Sequence, residues 1–158
     1  MLNKLIKTDS KDYIALISRL VLGLVMLPHG AQKLLGMFGG FGLSDTINFF
    51  TGTVGIPYAI ALLVIFGESI GALLLMFGFA GRVVSLNLIA IMIGAVLTTH
   101  IQNGFFMNWF GNQQGEGFEF HILYITLASI IVIKGSGMFS VDALLQNGSI
   151  YKTKMKAA

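Results

Sequence analysis

One carboxylate in the middle of a long apolar run constrains this chain more than any other feature. Glu68 is central in the uninterrupted apolar stretch from Pro57 to Phe79, which is long enough to cross a bilayer as a helix. A charge at mid-membrane costs at least a few kcal/mol and is usually paired and turned toward the protein interior. We therefore expect Glu68 to meet a partner from another segment, and Arg19 in the preceding apolar segment is the candidate.

Composition places the whole chain in a membrane. Its 158 residues are 55% hydrophobic and only 11% charged, with a mean hydropathy of +0.82, a profile outside the range of soluble domains. The predicted fold class is all-α: a polytopic membrane protein built as a four-transmembrane-helix bundle with short interfacial helices. The predicted spans are residues 13–35, 57–79, 82–101 and 118–134. The fourth is the shortest, because its strictly apolar part would reach only about 21 Å as a helix.

The rest of the chain divides around that bundle. Residues 1–12 are expected to form a cytoplasmic N-terminal segment, residues 13–135 the transmembrane domain, and residues 136–158 a cytoplasmic short helix and basic tail. Ser140 can cap that helix. Between the first two spans, residues 44–50 read as an interfacial helix capped by Ser44. The long polar lead before the first span predicts an uncleaved anchor rather than a signal peptide.

Basic residues indicate the orientation. Lys and Arg gather before the first span, between the second and third, and after the fourth. The positive-inside rule then places both termini in the cytoplasm and the loops 36–56 and 102–117 outside. The net charge of +3 is explained by these membrane anchors, so no nucleic-acid partner is expected. The chain has no cysteine, which excludes internal disulfides, thiolate metal sites and cysteine-ligated clusters.

A stripe on the first span predicts which face enters the bundle. The spacing of three and four places on one side the residues Arg19, Gly23, Met26, Gly30 and Lys33. Gly23 and Gly30 would let a neighbouring helix come close. If the midpoints of the first two spans lie level, Arg19 and Glu68 are offset by roughly 7 Å, within reach of an arginine side chain. Such a pair could serve chemistry, or could only fix helix register.

Three histidines form a second candidate site toward the outer leaflet. They are His29, His100 and His121, and the polar residues near them include Gln32, Lys33, Gln102, Glu119 and Tyr124. Histidine can ligate a metal, relay protons or hydrogen-bond a quinone carbonyl, and interfacial hydrogen bonding alone is the simpler alternative. These histidines are the only candidate metal ligands, and a metal or a haem would need two or three of them to converge. His100 shares a face with Asn87, Gly94 and Thr98 only if the helix end unwinds.

Five groups of residues follow one another along the chain: Arg19 with Pro28–Leu34, Gly67–Gly78 with Arg82, Thr99–Phe106, Gly117–Phe120 and Gly135–Asp142. Together they resemble the bacterial DoxX family of small four-helix membrane proteins. The resemblance implies a bacterial cytoplasmic-membrane protein described as an oxidoreductase. Its relatives are linked to thiosulfate:quinone oxidoreduction, to oxidative-stress complexes and to quinone or catechol detoxification. It also carries over, by position, the polar residues Arg19, His29, Lys33, Glu68, His100 and Glu119.

Three functional hypotheses follow. The leading one is a membrane redox subunit that holds a quinone or another small molecule in a polar cavity between helices. Glu68, Arg19 and His29 would be catalytic, and the ligand-binding residues would be His100, Lys33, His121, Glu119, Asn87 and Tyr124. A quinone is the favoured cofactor, ahead of haem or a metal, and a protein partner would carry the electrons. The alternatives are a small-solute permease and a membrane anchor or assembly factor for a soluble redox enzyme. Homo-oligomerisation stays open.

Overall fold

The fold is a bundle of long helices with short helices at its two ends. The computed structural model describes residues 5–156, with side chains up to Gly148, and no strand occurs in that range. Its α-helices are α1 (Tyr13–Leu35), α2 (Gly42–Asn48), α3 (Tyr58–Phe77), α4 (Gly81–Ala95), α5 (Glu119–Lys134) and α6 (Val141–Lys156). The bundle consists of α1, α3, α4 and α5, which confirms the predicted all-α class.

Three stretches of helix are long and apolar enough to cross a membrane, counted over the described residues. They are Tyr13–Leu35, Tyr58–Phe77 and Gly81–Asn103. The fourth bundle helix, α5, has 16 residues and so extends about 24 Å. It packs with the other three, but the count of four spans remains a prediction.

The bundle is apolar on both its inner and outer surfaces, as expected of helices in lipid. Leu22, Met26, Leu75, Leu88 and Ile131 are fully buried in the core. Large apolar side chains also cover the outside of the same helices, among them Ile17, Leu63 and Leu123. Such an outer surface is unfavourable in water and suits hydrocarbon. The protein therefore contacts the lipid bilayer.

The first connection contains the short helix that the sequence predicts, with different ends. α1 begins at an Asp12 cap, whose Oδ1 accepts from the N–H groups of Ile14 and Ala15 at 3.0 Å. α2 starts at Gly42, and a π-helical stretch, Phe49–Val54, continues it. The expected Ser44 cap is wrong, because the helix begins two residues earlier, at Gly42, and its N-cap, Phe41, makes no side-chain capping bond.

The last connection leads into a helix that is longer than expected. Ser140 caps it as predicted, since its Oγ accepts from the Ala143 N–H at 3.2 Å. α6 then runs from Val141 to Lys156, through most of the segment that the sequence suggested would be a basic tail. The tail's last two residues and the first four residues of the N-terminal segment lie outside the described range.

Candidate functional site

Arg19 does not pair with Glu68, so the expected ion pair between the first two spans is wrong. The Arg19 side chain is 2% exposed. Its Nε donates to the Ser136 carbonyl at 2.9 Å, and its Nη2 donates to the carbonyls of Met138 at 3.0 Å and Phe139 at 2.8 Å. Its Nη1 donates to the Met76 carbonyl. Arg19 thus binds backbone carbonyls at the end of α3 and in the segment after α5.

Asp142 completes this group, which we call the Arg19 cluster: Arg19, Ser136, Asp142 and the backbone they bind. The Asp142 carboxylate accepts from the N–H groups of Ala80 at 2.9 Å and Gly81 at 3.0 Å, where α4 begins, and from the Ser136 hydroxyl at 2.6 Å. A carboxylate at a helix N-terminus is favourable for the same reason as an N-cap. The cluster connects the last turn of α3, the start of α4, the segment after α5 and the start of α6.

The register between α1 and α3 explains why Arg19 misses Glu68. A Cβ added to Gly30 would lie 2.4 Å from the Glu68 carbonyl oxygen, so the two backbones cross at these residues. Arg19 is eleven residues before that crossing, about 16 Å along the helix and beyond the reach of its side chain. The sequence argument set the two span midpoints level, whereas the glycine contact sets the actual register. The prediction that Gly23 and Gly30 permit close helix packing is confirmed.

Lys33 is the partner of Glu68. Its Nζ lies 2.5 Å from Glu68 Oε2, and the Glu68 side chain is 6% exposed whereas that of Lys33 is 25% exposed. Lys33 follows Gly30 by one helical turn on the same face of α1, so the close crossing delivers the ammonium group to the carboxylate. An ammonium–carboxylate bond of this kind is charge-assisted and satisfies a carboxylate that would otherwise be isolated.

A cavity of about 560 Å³ opens beside this pair. The predicted site residues that line it are His29, Lys33, Glu68, Asn87, His100 and His121. Most of the remaining wall is apolar and comes from α3, α4 and the π-helical stretch after α2, where Phe49 and Phe50 lie. Cavities of roughly 300–1,000 Å³ with a few convergent polar groups are typical of small-molecule sites. The structure therefore brings the ion pair and the histidines to one space.

His100, in the turn that follows α4, packs against His121 at the start of α5. The ring centroids of His100 and His121 are 4.3 Å apart with the rings tilted by 47°. His100 Nδ1 is 2.8 Å from the Glu116 carbonyl oxygen. Because a carbonyl only accepts, Nδ1 carries the hydrogen, and in the neutral ring Nε2 is the acceptor. His121 is 7% exposed, and its buried Nδ1 has no hydrogen-bond partner among the residues that the structure describes.

A change of helix type explains how His100 joins residues from the other side of its helix. α4 gives way to a π-helical turn at Val96–His100 and then to a 3₁₀ turn at Ile101–Asn103. A π turn has more residues per revolution than an α turn, so the direction of later side chains shifts. Asn87, Gly94, Thr98 and His100 all line the cavity, which meets the condition that the sequence set for this grouping.

Three predicted site residues lie outside the cavity lining. Glu119 accepts from the Met107 N–H at 3.1 Å and so holds the loop between α4 and α5. Tyr124 is 3% exposed, and its hydroxyl is 3.4 Å from the Leu22 carbonyl oxygen. Arg19 is likewise absent from the lining. These three side chains are bonded to backbone groups.

Sequence reasoning missed part of the lining. Glu116 and Met107 come from the loop between α4 and α5, and Phe120 lies next to His121 on α5. Loop residues follow no helical period, so spacing could not select them. Phe120 has a usable signal, because it directly precedes a predicted site histidine at the start of a helix. In residues 5–156 no three His, Cys, Asp or Glu side chains are grouped closely enough to hold a metal.

The fold and site define a small all-α membrane protein with an ion pair and two stacked histidines around an internal cavity. Comparison with known proteins places it further. The DoxX family pattern matches residues 14–101, and the chain belongs to the DoxX family. It is 30% identical over 133 residues to the Bacillus subtilis (strain 168) protein named "Putative oxidoreductase CatD", covering 84% of this chain and 87% of that one. No solved structure matches the chain.

Proposed function

We propose that this DoxX-family protein is a subunit of a membrane oxidoreductase and holds a quinone or a similar neutral small molecule in the cavity. The observation that carries the proposal is the shared cavity, in which the Lys33–Glu68 pair and His121 face the same space of about 560 Å³. The oxidoreductase name of the Bacillus subtilis relative supports a redox role.

The charges of the lining favour an uncharged ligand. Lys33 and Glu68 neutralise each other. The Glu116 carboxylate is bonded to the Asn108 N–H at 2.6 Å and so is engaged in the loop. The rest of the wall is largely apolar apart from its three histidines, His29, His100 and His121. An anion would have to be desolvated there without a free cation to meet it.

The residues divide the chemistry between them. Glu68 and Lys33 would exchange protons with the oxygens of the bound molecule, because a paired carboxylate can accept a proton when the pair reorganises. The His121 ring, which lines the cavity, would share a hydrogen bond with the ligand. Oxidation of a hydroquinone to a quinone releases two protons and two electrons. The chain has no cysteine to ligate a cluster, so a partner redox protein or a bound cofactor would take the electrons.

Membership of the DoxX family and the positions of the basic residues favour a bacterial cytoplasmic membrane as the location of the protein. The basic residues assign the termini to the cytoplasm by the positive-inside rule. The cavity would then lie toward the outer leaflet, because its lining includes residues of both predicted outer loops, such as Phe50 and Glu116. Fusing a reporter enzyme to each terminus in turn tests this orientation.

The function is tested on protein purified in mild detergent. Lipid extracts and the absorption spectrum are analysed for bound quinone, and quinone binding is titrated to wild type and Glu68→Gln. We expect quinone in the wild type and a loss of most binding in the variant. Glu119→Gln is the matched control, since Glu119 is an acid outside the cavity lining and the glutamine oxygen can still accept from the Met107 N–H. Equal binding by all three proteins would count against the proposal.

A further inference from the structure

We propose that the ligand reaches the cavity sideways from the hydrocarbon of the bilayer, through an opening between α3 and α4. The side opening is defined by Ile60 and Leu63 on α3 and by Ala90 and Gly94 on α4. This inference rests on the proposed function in one respect, because it gives the route and the solubility class of the same ligand. Its test does not depend on a quinone.

Exposed lining residues mark where a cavity meets its surroundings. Ile60 and Leu63 line the cavity and are 45% and 57% exposed. Ala90 on α4 is also both a lining residue and exposed. These side chains belong to the two neighbouring helices of the α3–α4 hairpin. The wall of the cavity is therefore open between them.

The α4 side of this opening is unfilled. A Cβ added to Gly94 would meet no atom within 4 Å. The same addition at Gly30 or Gly67 would fall within 2.6 Å of a neighbouring helix. Small residues in membrane helices usually mark close helix contacts. At Ala90 and Gly94 the small side chains instead leave a gap that no described segment covers.

The opening lies at the depth of the lipid tails. Ile60 and Leu63 precede Glu68 by eight and five residues, which places them about 12 Å and 8 Å from it along α3. With Glu68 near the centre of its span, both lie within the half-thickness of about 15 Å of the hydrocarbon core. A molecule that passes between them comes from the apolar interior of the membrane and not from water.

His121 indicates the chemistry of the ligand at the end that lies inside the cavity, away from the side opening. The His121 ring lines the cavity and can share a hydrogen bond with a polar atom of the occupant. The Lys33–Glu68 pair offers further polar contacts. The ligand class is therefore amphipathic and lipid-dissolved: an uncharged polar head lies at His121 and Lys33–Glu68, and an apolar tail extends through the side opening.

A fluorescence reporter tests the route. The chain has a single tryptophan, Trp109, which Trp109→Phe removes, and Phe120→Trp puts an indole on the cavity wall. In proteoliposomes this indole is exposed to a dibrominated long-chain alcohol dissolved in the bilayer, or to aqueous iodide. We expect strong quenching by the alcohol and little by iodide. Gly94→Phe, which fills the opening, should remove most of the alcohol quenching.

Matched variants decide the result. Leu97→Phe adds the same ring in the π-helical turn after α4, at a residue that is 64% exposed and outside the lining, and it should leave quenching unchanged. Ala90→Leu is a second, milder obstruction and should reduce it. Quenching that is equal in all variants, quenching by iodide alone, or no quenching by either agent would overturn the side opening. Circular dichroism confirms that each variant folds.

The proposed ligand and the proposed route can be disproved independently of each other. If the brominated alcohol enters through the side opening but purified protein binds no quinone, the route holds and the assigned ligand is wrong. If quinone binds and Gly94→Phe has no effect on quenching, the function holds and the route is wrong.

Discussion

The Arg19 cluster and the Lys33–Glu68 site use buried charge in opposite ways. Arg19 is enclosed, and backbone carbonyls accept from its Nε, Nη1 and Nη2. A Cβ at Gly78 would lie 2.4 Å from Ser140 Cβ, so nothing else fits there. Glu68 has a single cationic partner and an open volume of about 560 Å³ beside it.

The difference separates architecture from function. A charge whose donors are bound to fixed backbone groups holds helix ends together, and it cannot change partners without disrupting those ends. A charge held by one flexible lysine beside a cavity can exchange that partner for a ligand. Intramembrane charge alone therefore does not identify a functional residue, and the space next to it is the better indicator.

The largest expected effect is from Arg19→Met. The substitution leaves the carbonyls of Met76, Ser136, Met138 and Phe139 without their donor, and buried unsatisfied groups each cost about 1–3 kcal/mol. We expect a loss of several kcal/mol in the free energy of unfolding, measured by thermal unfolding in mild detergent. Arg19→Lys should recover part of it, since one ammonium group can reach only some of these carbonyls. Full stability with reduced quinone binding would contradict the structural role.

The second largest effect is expected from Gly30→Ala, which adds a methyl group where α1 and α3 cross in close contact. The new Cβ would lie 2.4 Å from the Glu68 carbonyl oxygen, a backbone atom that moves only with its helix. Overpacking of this kind costs about 1–3 kcal/mol. It should also separate Lys33 from Glu68 and weaken ligand binding, measured by thermal unfolding and titration. Gly94→Ala is the matched control, and because nothing crowds it, it should be neutral or stabilising by up to about 1 kcal/mol.

A smaller effect concerns the ion pair itself. In a double-mutant cycle of Lys33→Met and Glu68→Gln, the coupling in unfolding free energy should be about 0.5–3 kcal/mol, the range for residues in direct contact. The same cycle built on Arg19→Met and Glu68→Gln should show coupling near zero, because these side chains make no contact with each other. Strong coupling between Arg19 and Glu68 would restore the pairing that the sequence first suggested.

The sequence predicted the bundle well because helix period and hydropathy act locally. The stripe from Arg19 to Lys33, the packing role of Gly23 and Gly30, and the Ser140 cap are all readable from spacing and residue type. The wrong partner for Glu68 came from register, which depends on where two distant helices touch. A shift of the contact by two turns, from the span midpoint to Gly30, exchanges one cation for another.

The candidate site was predicted in part for the same reason. His29, Lys33, Glu68, Asn87, His100 and His121 line one cavity, and each was a polar residue in an apolar context. Glu119 and Tyr124 have that same pattern but bond to backbone groups instead. Spacing shows which face a residue shares, and it does not show whether the space beyond that face is filled. The π turn at Val96–His100 changes the direction of the side chains that follow it, and no distinctive residue in the sequence predicts that turn.

The smallest expected effect is a pH dependence at the Arg19 end of the bundle, outside the spans. The hydrogen bond from Lys134 Nζ to Asp12 Oδ2, at 2.6 Å, and the Ala15 N–H hold the pKa of Asp12 below its usual range. Because the folded pKa is the lower one, this stabilisation is present above the unfolded pKa and is lost as pH falls through the folded pKa. An exposed ion pair contributes under about 1 kcal/mol, so Asp12→Asn should lower the unfolding temperature slightly at neutral pH and match wild type in strong acid.

Since the Lys33–Glu68 site lies at the other end of α1, quinone binding should be unchanged in this variant, and a change in it would mean that the two ends are coupled.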